Sequence, residues 1–327
     1  MIYLKNHESI RKVLVIGDIM LDQYVIGKAK RLCPEAPAPV LEADEVKCFP
    51  GGAANVALNI KNIGGQVTLA GVIGKDDEGE ILRRILKQKD ISTVLGVDPT
   101  RPTTVKKRIG TREQLVVRLD REQAKDIPTG IFHDILQLVT VVLDDVSLVT
   151  ISDYGKGVVT RELFAAICER CKSRSIPVFV DPKGSDFTRY RGADVIKPNL
   201  SSMEALYGKE LLTASDLEGA ADMLFSAVQC KACVMTWGAN GVILFRSPKD
   251  WIHFPCPIVR ETPFISGAGD VFMSGLAMAA SQGLPIETAC MIANDLAAST
   301  VGRVRTITAD AATWKALLEK YRIKLGR

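Results

Sequence analysis

The sequence lacks the long apolar stretch that a membrane-spanning helix requires. No run of about 18 uncharged apolar residues occurs among its 327 residues, whereas about 20 are needed to cross a bilayer. The apolar run at residues 136–143 is short and ends at Asp144. Residues 1–8 also lack the apolar core of a secretory signal. We therefore expect a cytoplasmic protein with no membrane partner.

Dense basic blocks with interleaved aromatic residues are missing as well. The formal net charge is only +4, and aromatic residues make up 6% of the chain. Such a mild charge gives no electrostatic footprint for nucleic acid. Arg303 and Arg305 could meet an anion, but a solvated surface is the simpler interpretation. We expect no nucleic-acid partner.

Three common catalytic signatures are absent. The sequence has no P-loop, no strand-linked G-x-G-x-x-G and no G-x-S-x-G, so the usual NTPase, NAD and hydrolase patterns are excluded. It also has no internal repeats. Eight cysteines include two C-x-x-C pairs, Cys168 with Cys171 and Cys230 with Cys233. Their separation is longer than a zinc ribbon uses, so free thiols are the preferred interpretation over zinc, and we predict no metal site built from side chains.

Strands and helices alternate along much of the chain. Apolar content of 47% against 24% charged residues is enough for a large core. Short apolar runs predict strands at residues 13–18, 66–73, 148–152, 178–180, 194–196, 233–235 and 242–245. Helical patterns occupy about 53–63, 78–89, 161–173, 215–228, 267–281, 286–300 and 309–323. This rhythm predicts an α/β fold with a mostly parallel sheet and helices on both faces.

Two segments do not fit the alternation. Residues 24–48 look irregular, with Pro34, Pro37, Pro39 and strand-like pieces such as 40–46. Residues 103–109 and 115–119 alternate like a hairpin with one exposed face. We expect these segments, about 24–48 and 103–119, to form a small β-sheet lid inserted in a single domain spanning 1–327. Such a lid would exclude water from a transfer reaction.

Polar and glycine-rich residues recur where the predicted strands end. Because the carboxyl ends of parallel strands share one edge of a sheet, several such ends predict a ligand crevice. Asp18 follows the first strand and is either a ligand-binding carboxylate or a loop cap. Gly51, Gly52 and Asn55 open a helix of small residues. Bare backbone and an amide there would suit a polyhydroxylated ligand, although a tight turn with close helix packing explains the same residues.

The stretch from Ser266 to Asp270 is the sharpest candidate. Gly267, Ala268 and Gly269 leave almost no side chain at the start of a helix, whose positive N-terminal end favours an anion such as phosphate. A carboxylate beside a phosphate-binding turn would repel the phosphate, so we expect this carboxylate to have a separate role. Taking a proton from an attacking hydroxyl is the natural task for Asp270. The alternative is an ordinary glycine turn before a helix.

The motifs together resemble a known family. They are Gly17-Asp18 with Asp22, Pro50-Gly51-Gly52-Ala53-Ala54-Asn55, Asp181-Pro182-Lys183, Pro198-Asn199, Thr236-x-Gly238-x-x-Gly241 and Gly267-Ala268-Gly269-Asp270. In this order they resemble the ribokinase-like (PfkB) carbohydrate kinases along nearly the whole chain. Gly17–Asp22, residues 34–39, 152–157 and 181–193 are also similar to bacterial D-glycero-β-D-manno-heptose-7-phosphate kinases. With 327 residues, a second nucleotidyltransferase domain would not fit, so the stand-alone form is expected.

The resemblance implies transfer of the γ-phosphate of ATP, with Mg²⁺, to the anomeric hydroxyl of a heptose 7-phosphate. The product would be a 1,7-bisphosphate for lipopolysaccharide synthesis. Asp270 would be the base, beside the N–H groups of residues 267–269. The other implied roles divide into two sets. Asp18, Gly51, Gly52, Asn55, Arg118, Asp153, Lys156 and Lys183 would hold the sugar phosphate, and Asn199, Thr236, Gly238, Gly241 and Ser266 would lie along the nucleotide. A homodimer through the lid is also implied.

This chain departs from the family pattern on the nucleotide side. Ser202 stands where a Glu usually helps to organise magnesium, and Phe264 replaces an Asp before the catalytic turn. Bulkier Val271 and Phe272 follow Asp270, and Cys33 replaces a serine. Three interpretations therefore stay open: an active heptose kinase, a weakened sugar-phosphate or nucleotide binding protein on the same fold, and a kinase for another sugar or nucleoside.

Overall fold

The computed structural model describes residues 2–3, 12–257, 267–300, 308–321 and 323–324. Fifteen strands lie in these residues: β1 (Ile2–Tyr3), β2 (Lys12–Gly17), β3 (Ile19–Leu32), β4 (Pro39–Gly52), β5 (Gln66–Gly74), β6 (Ser92–Asp98), β7 (Thr104–Gly110), β8 (Leu115–Arg121), β9 (Val146–Ser152), β10 (Val178–Asp181), β11 (Val195–Ile196), β12 (Ala232–Thr236), β13 (Val242–Ser247), β14 (Asp250–Phe254) and β15 (Ile323–Lys324). The α-helices described are α1 (Ala53–Asn62), α2 (Asp77–Gln88), α3 (Thr129–Val142), α4 (Arg161–Lys172), α5 (Leu200–Tyr207), α6 (Ala214–Val228), α7 (Ala268–Ser281), α8 (Ile286–Thr300) and α9 (Ala311–Lys320).

The large sheet has nine strands in the order β14-β13-β12-β11-β10-β9-β2-β5-β6. Every neighbouring pair from β12 to β6 is parallel, and only β13 and β14 are added antiparallel. The predicted mostly parallel sheet is confirmed. Since parallel strands end at one edge, the loops after β2, β9, β10, β11 and β12 meet there.

Helices cover both faces of this sheet, and β2 illustrates why. Val13 and Val15 point into one apolar core, while Leu14 and Ile16 point into the other. All four side chains are fully buried. A continuous apolar run is typical of a strand covered on both faces. Helices α1, α2, α7, α8 and α9 pack on the first core, and α3 to α6 pack on the second.

The small sheet runs in the order β4-β3-β7-β8. The predicted second sheet is therefore confirmed, but the interpretation of residues 24–48 as irregular is wrong. Strands β3 and β4 each have 14 residues and pair antiparallel along their whole length. Pro34 and Pro37 lie in the turn between them, and Pro39 is the first residue of β4. A proline at such positions removes no ladder hydrogen bond from the sheet interior.

Six of the strands and helices described above were not predicted from the sequence: β1, β6, α3, α5, β14 and β15. The apolar run 136–143 belongs mostly to α3, which buries Ile135, Leu136 and Val139 and exposes Val141. None of the helices in the described residues is both long and apolar enough to span a bilayer. Phe264, Ser266, Arg303 and Arg305 lie outside the described residues.

Asn59 ties α1 to the segment before α9. Its Nδ2 donates to the Asn55 carbonyl at 2.8 Å, and its Oδ1 accepts from the backbone N–H of Ala309 at 2.7 Å. The side chain is fully buried, so water cannot take over these hydrogen bonds if the side chain is removed.

We therefore expect Asn59→Ala to lower the free energy of unfolding by about 1–3 kcal/mol, because a buried donor or acceptor is left unpaired. Denaturant unfolding measures this change. Asn62→Ala, a half-buried asparagine near the end of the same helix, is the matched control and is expected to cost less. Equal losses in both variants would contradict this role for Asn59.

Candidate active site

Asp270 lies in the first turn of α7, at the carboxyl edge of the large sheet. The N-cap residue is Gly267, whose φ of 96° is left-handed and whose lack of a side chain leaves the helix end without a side-chain cap. The exposed N–H groups and the helix dipole favour an anion at this point. An anion seat with a buried carboxylate at its side is therefore present in the fold.

Two donors hold the Asp270 carboxylate. Asn55 Nδ2 donates to Oδ2 at 2.6 Å, and the Tyr154 hydroxyl donates to Oδ1. Burial raises the pKa of Asp270 from 3.8 to about 6, although both hydrogen bonds act to lower it. A carboxylate with this pKa is ionised at neutral pH and still accepts a proton readily, as a general base must.

The Asp18 carboxylate holds the loop that follows β9 by accepting hydrogen bonds from its backbone. Its Oδ2 accepts from the backbone N–H groups of Tyr154 at 2.7 Å and Lys156 at 3.0 Å, and its Oδ1 accepts from Val158 at 3.2 Å. Burial and the nearby Asp153 raise the pKa of Asp18 to about 6. Asp18 is thus a loop cap in the present arrangement, and its Oδ1 keeps one acceptor site for a ligand hydroxyl.

Gly51 and Gly52 allow a close approach between β4 and the loop after β2. Gly52 has φ 59°, and a Cβ there would lie 2.5 Å from the Asp18 carbonyl oxygen. A Cβ on Gly51 would lie 2.9 Å from Oδ2 of Asp22. Both positions therefore exclude larger residues, which supports close backbone contact in this corner of the crevice.

The other predicted sugar residues lie along the same edge. Asp153 is buried and accepts from the Tyr190 hydroxyl at 2.7 Å. The Lys183 side chain passes over Gly155, where an added Cβ would meet its Cγ at 3.5 Å. Lys156 Nζ pairs with Glu122 at 2.6 Å. Cationic and acidic groups thus surround the part of the crevice formed by Asp18, Gly51 and Gly52, which we call the Asp18 corner.

Arg118 is placed differently. It lies on strand β8 of the small sheet, its side chain is 52% exposed, and its ion pair is with Asp120 on the same strand. Asp120 in turn contacts Lys106, which also contacts Glu122. Arg118 is therefore linked toward the crevice through this row of ion pairs across the small sheet.

Lys197 was not among the sequence candidates, yet it lies at the anion seat. Its Nζ pairs with Asp181 at 2.9 Å and would lie 3.8 Å from a Cβ built on Gly269. The side chain is buried. Burial raises the pKa of Asp181, and the Lys197 charge opposes that shift. A buried ammonium over a glycine turn fits a phosphate group, and its position directly after β11 was the available signal.

The predicted nucleotide residues also meet. Asn199 and Thr236 form an isolated parallel bridge, and Asn199 Oδ1 caps α5 by accepting from the Ser202 N–H at 2.8 Å. Gly238 and Gly241 both have left-handed φ in the turn after β12. An added Cβ on Gly241 would lie 2.1 Å from the Phe254 carbonyl oxygen. This turn continues the crevice beyond Lys197.

A family model for the pfkB family of carbohydrate kinases matches residues 10–313. The chain belongs to the pfkB family. The bifunctional protein HldE of Shewanella sp. (strain ANA-3) is 40% identical over 304 residues, which are 91% of this chain and 61% of that protein. The chain thus spans less than two thirds of the length of this relative. The recognised resemblance is confirmed at the level of the kinase part.

Solved structures confirm the ribokinase-like fold of this pfkB chain. The tetrameric inhibited form of phosphofructokinase-2 from Escherichia coli matches with a TM-score of 0.74 at 18% identity, covering 96% of this chain and 99% of that one. Ribokinase from Arabidopsis thaliana, complexed with ribose and ATP, matches with a TM-score of 0.70 at 16% identity, covering 95% and 99%.

Within this pfkB fold, the structure brings together nearly all the predicted site residues. Ser266 lies outside the described residues, and Arg118 lies on the outer strand β8 of the small sheet. Tyr154 was missed as a site residue although its neighbour Asp153 was named, because nothing in the local sequence says where its hydroxyl points. In the described residues, no three His, Cys, Asp or Glu side chains are grouped to hold a metal ion.

The raised pKa of Asp270 predicts a stability change in Asp270→Asn. Between about pH 4 and 6 the folded state keeps a proton on Asp270 that the unfolded state has lost, so stability of the parent falls as pH rises through this window. The variant lacks this loss. Its free energy of unfolding should exceed that of the parent above pH 7 by up to about 3 kcal/mol, from a shift of roughly two pKa units.

Denaturant unfolding at pH 4 and pH 8 measures the difference. Asp90→Asn is the control, because Asp90 is exposed and its pKa is lowered by a hydrogen bond from Lys61, so this variant should gain nothing at pH 8. A gain for Asp270→Asn that is the same at both pH values would contradict the prediction.

Proposed function

We propose that this protein is an ATP-dependent sugar-phosphate kinase. Its acceptor is the anomeric hydroxyl of D-glycero-β-D-manno-heptose 7-phosphate, and its product is the 1,7-bisphosphate used in lipopolysaccharide core synthesis. The observation that carries the proposal is the buried carboxylate of Asp270 beside the open glycine turn at Gly267. Family membership and 40% identity to the HldE protein over most of this chain support it. The heptose rests on the motif resemblance described above.

The chemistry follows from the geometry of the seat. The acceptor hydroxyl gives its proton to Asp270 as its oxygen bonds to the γ-phosphorus. The bond from that phosphorus to the bridging oxygen breaks, and ADP leaves with the electron pair. The N–H groups of residues 267–269 and the Lys197 ammonium face the transferring phosphoryl group and stabilise its charge.

Binding of the sugar phosphate is assigned to the Asp18 corner. Asp18 Oδ1, the Asn55 amide and the backbone at Gly51 and Gly52 offer hydrogen-bonding groups for sugar hydroxyls. Lys156 and Lys183 provide positive charge for the phosphate at the far end of the sugar. The lid strands β3 and β7 lie over this corner and exclude water from the transfer.

The nucleotide lies along Asn199, Thr236, Gly238 and Gly241. Mg²⁺ usually keeps several waters and binds through one or two carboxylates together with substrate phosphates. The absence of a dedicated carboxylate cluster in the described residues is compatible with that mode. When bound, the ion neutralises phosphate charge.

One observation favours a second candidate, a sugar-phosphate or nucleotide binding protein that transfers slowly. Position 202 is a serine whose backbone N–H is taken by Asn199, and the nearby Glu204 carboxylate accepts from the Leu211 N–H at 3.3 Å. Neither residue offers the carboxylate that the family usually has there. The same assay separates this candidate, and a kinase for another sugar, from the first.

The deciding measurement is turnover of purified protein with ATP, Mg²⁺ and heptose 7-phosphate. We expect the parent to form ADP, and Asp270→Asn to be slower by about 10² or more, because the variant has no general base. Fructose 6-phosphate and ribose are assayed in parallel for sugar choice. Asp90→Asn is the matched control for loss of an aspartate charge.

Tight binding of the sugar phosphate without turnover in the parent would favour the binding protein. Ser202→Glu then tests the cause, because a carboxylate at that position is expected to restore turnover and lower the Mg²⁺ concentration required. Turnover with another sugar but not with the heptose would show that the protein is a kinase for that other sugar.

We further propose that two copies associate through the lid. On the lid face opposite Asp22 and Lys106, the paired residues Val46, Val25, Ile109 and Val117 form one apolar row across four strands. Val46 is 59% exposed, Val117 42% and the neighbouring Leu119 53%. A contiguous apolar patch of this kind on a β-sheet is typical of an interface.

Leu119→Asp is expected to shift the protein from dimer to monomer, because the interface would have to bury a charge. Sedimentation equilibrium measures the mass. Val141→Asp, an exposed valine on α3, is the control and should leave the dimer intact. A monomeric parent, or a dimeric Leu119→Asp, would rule out this interface.

A further inference from the structure

One donor on each oxygen fixes the plane of the Asp270 carboxylate. Asn55 comes from the first turn of α1 and donates to Oδ2, whereas Tyr154 comes from the loop after β9 and donates to Oδ1. Each oxygen retains a second acceptor site. The carboxylate is therefore oriented by two separate parts of the chain, and its oxygens keep acceptor capacity for a further hydroxyl.

The loop that carries Tyr154 is itself held firmly. Asp18 accepts the N–H groups of Tyr154, Lys156 and Val158. Gly157 has φ 85°, and a Cβ there would lie 2.0 Å from the Lys125 carbonyl oxygen. These contacts fix the backbone at Tyr154 and thereby direct its phenol toward Asp270. The hydrogen bond between the two side chains is therefore not a chance contact of a loose surface loop.

Among the described residues, three further ionisable groups act on this contact. Asp181 and Lys197, paired at 2.9 Å, act on Asp270 from β10 and the end of β11. Asp22 on β3 acts on Tyr154. Burial and the Asp270 charge raise the pKa of Tyr154, so the phenol stays protonated and donates. A donated hydrogen bond favours the ionised carboxylate, whereas burial and Asp181 oppose it.

We propose that Tyr154 is the positioning residue of the base: its hydroxyl orients the Asp270 carboxylate and keeps it ionised for the acceptor hydroxyl. The inference rests on the proposed kinase function, in which Asp270 takes the acceptor proton. Because Asp18 holds the same loop, the sugar corner and the base share one rigid element.

Tyr154→Phe tests the proposal, since it removes the hydroxyl and keeps the ring. The acid limb of the kcat/KM profile should move up by about one pH unit, the order expected for loss of a hydrogen bond to a charged group. At pH 6, kcat/KM should fall roughly five-fold, because about half of the parent but only about a tenth of the variant is then ionised at Asp270. At pH 8.5 it should approach the parent value, because Asp270 is then ionised in both proteins.

Tyr321→Phe is the matched control. It removes a phenol that donates to another carboxylate, that of Asp295 at 2.9 Å, and should leave the acid limb where it is. A structural role for Tyr154 would lower activity equally at every pH. That result, or an acid limb unchanged from the parent, would overturn the proposal.

A second readout does not depend on turnover. In carbon-13 NMR of the aspartate-labelled protein, the Asp270 carboxyl signal is identified by its loss in Asp270→Asn, and its midpoint should lie at about 6. Tyr154→Phe should raise that midpoint by about one unit. If no sugar phosphate is turned over, the proposed kinase function fails, while this titration still decides the role of Tyr154. An unchanged midpoint would refute it.

Discussion

The burial of the Asp270 carboxylate is the constraint on which the arrangement of the crevice depends. A buried carboxylate is costly unless donors surround it, and here Asn55 and Tyr154 supply them from two distant segments. Satisfying this one group requires α1, α7 and the loop after β9 to meet at one point. The same burial that penalises the charge raises the pKa to about 6, within reach of proton transfer at neutral pH.

The corner of the crevice at Asp18, where we propose that the sugar binds, is assembled from backbone as much as from side chains. Gly51 and Gly52 let β4 pass against Asp18, and Asp18 in turn gathers the N–H groups of the loop at Tyr154. A side chain at either glycine would separate these segments. Because these segments are held rigidly, the hydrogen-bond donors are already in position before a ligand binds. Stabilisation of a transition state requires donors that are preorganised in this way.

The side of the crevice where we propose that the nucleotide binds is built differently. Asn199 and Thr236 meet in a single bridge, and the turn at Gly238 continues from there. The buried Lys197 and Asp181 pair lies between this turn and the base, so it connects the two halves of the crevice. In the proposed reaction, with Ser202 at the position of the usual glutamate, charge stabilisation on this side would depend more heavily on Lys197 and on the helix end at Gly267.

Local spacing was enough to determine the alternation of strands and helices, the parallel sheet and the order of motifs at strand ends, because each follows from residues close together in the chain. Tertiary structure decided the rest. Pro34, Pro37 and Pro39 suggested an irregular segment. In the structure, however, β3 and β4 pair with each other and form two long strands. The Tyr154 hydroxyl reaches Asp270 across 116 residues. Such a contact depends on strand order in the sheet and on where loops converge, which no local pattern encodes.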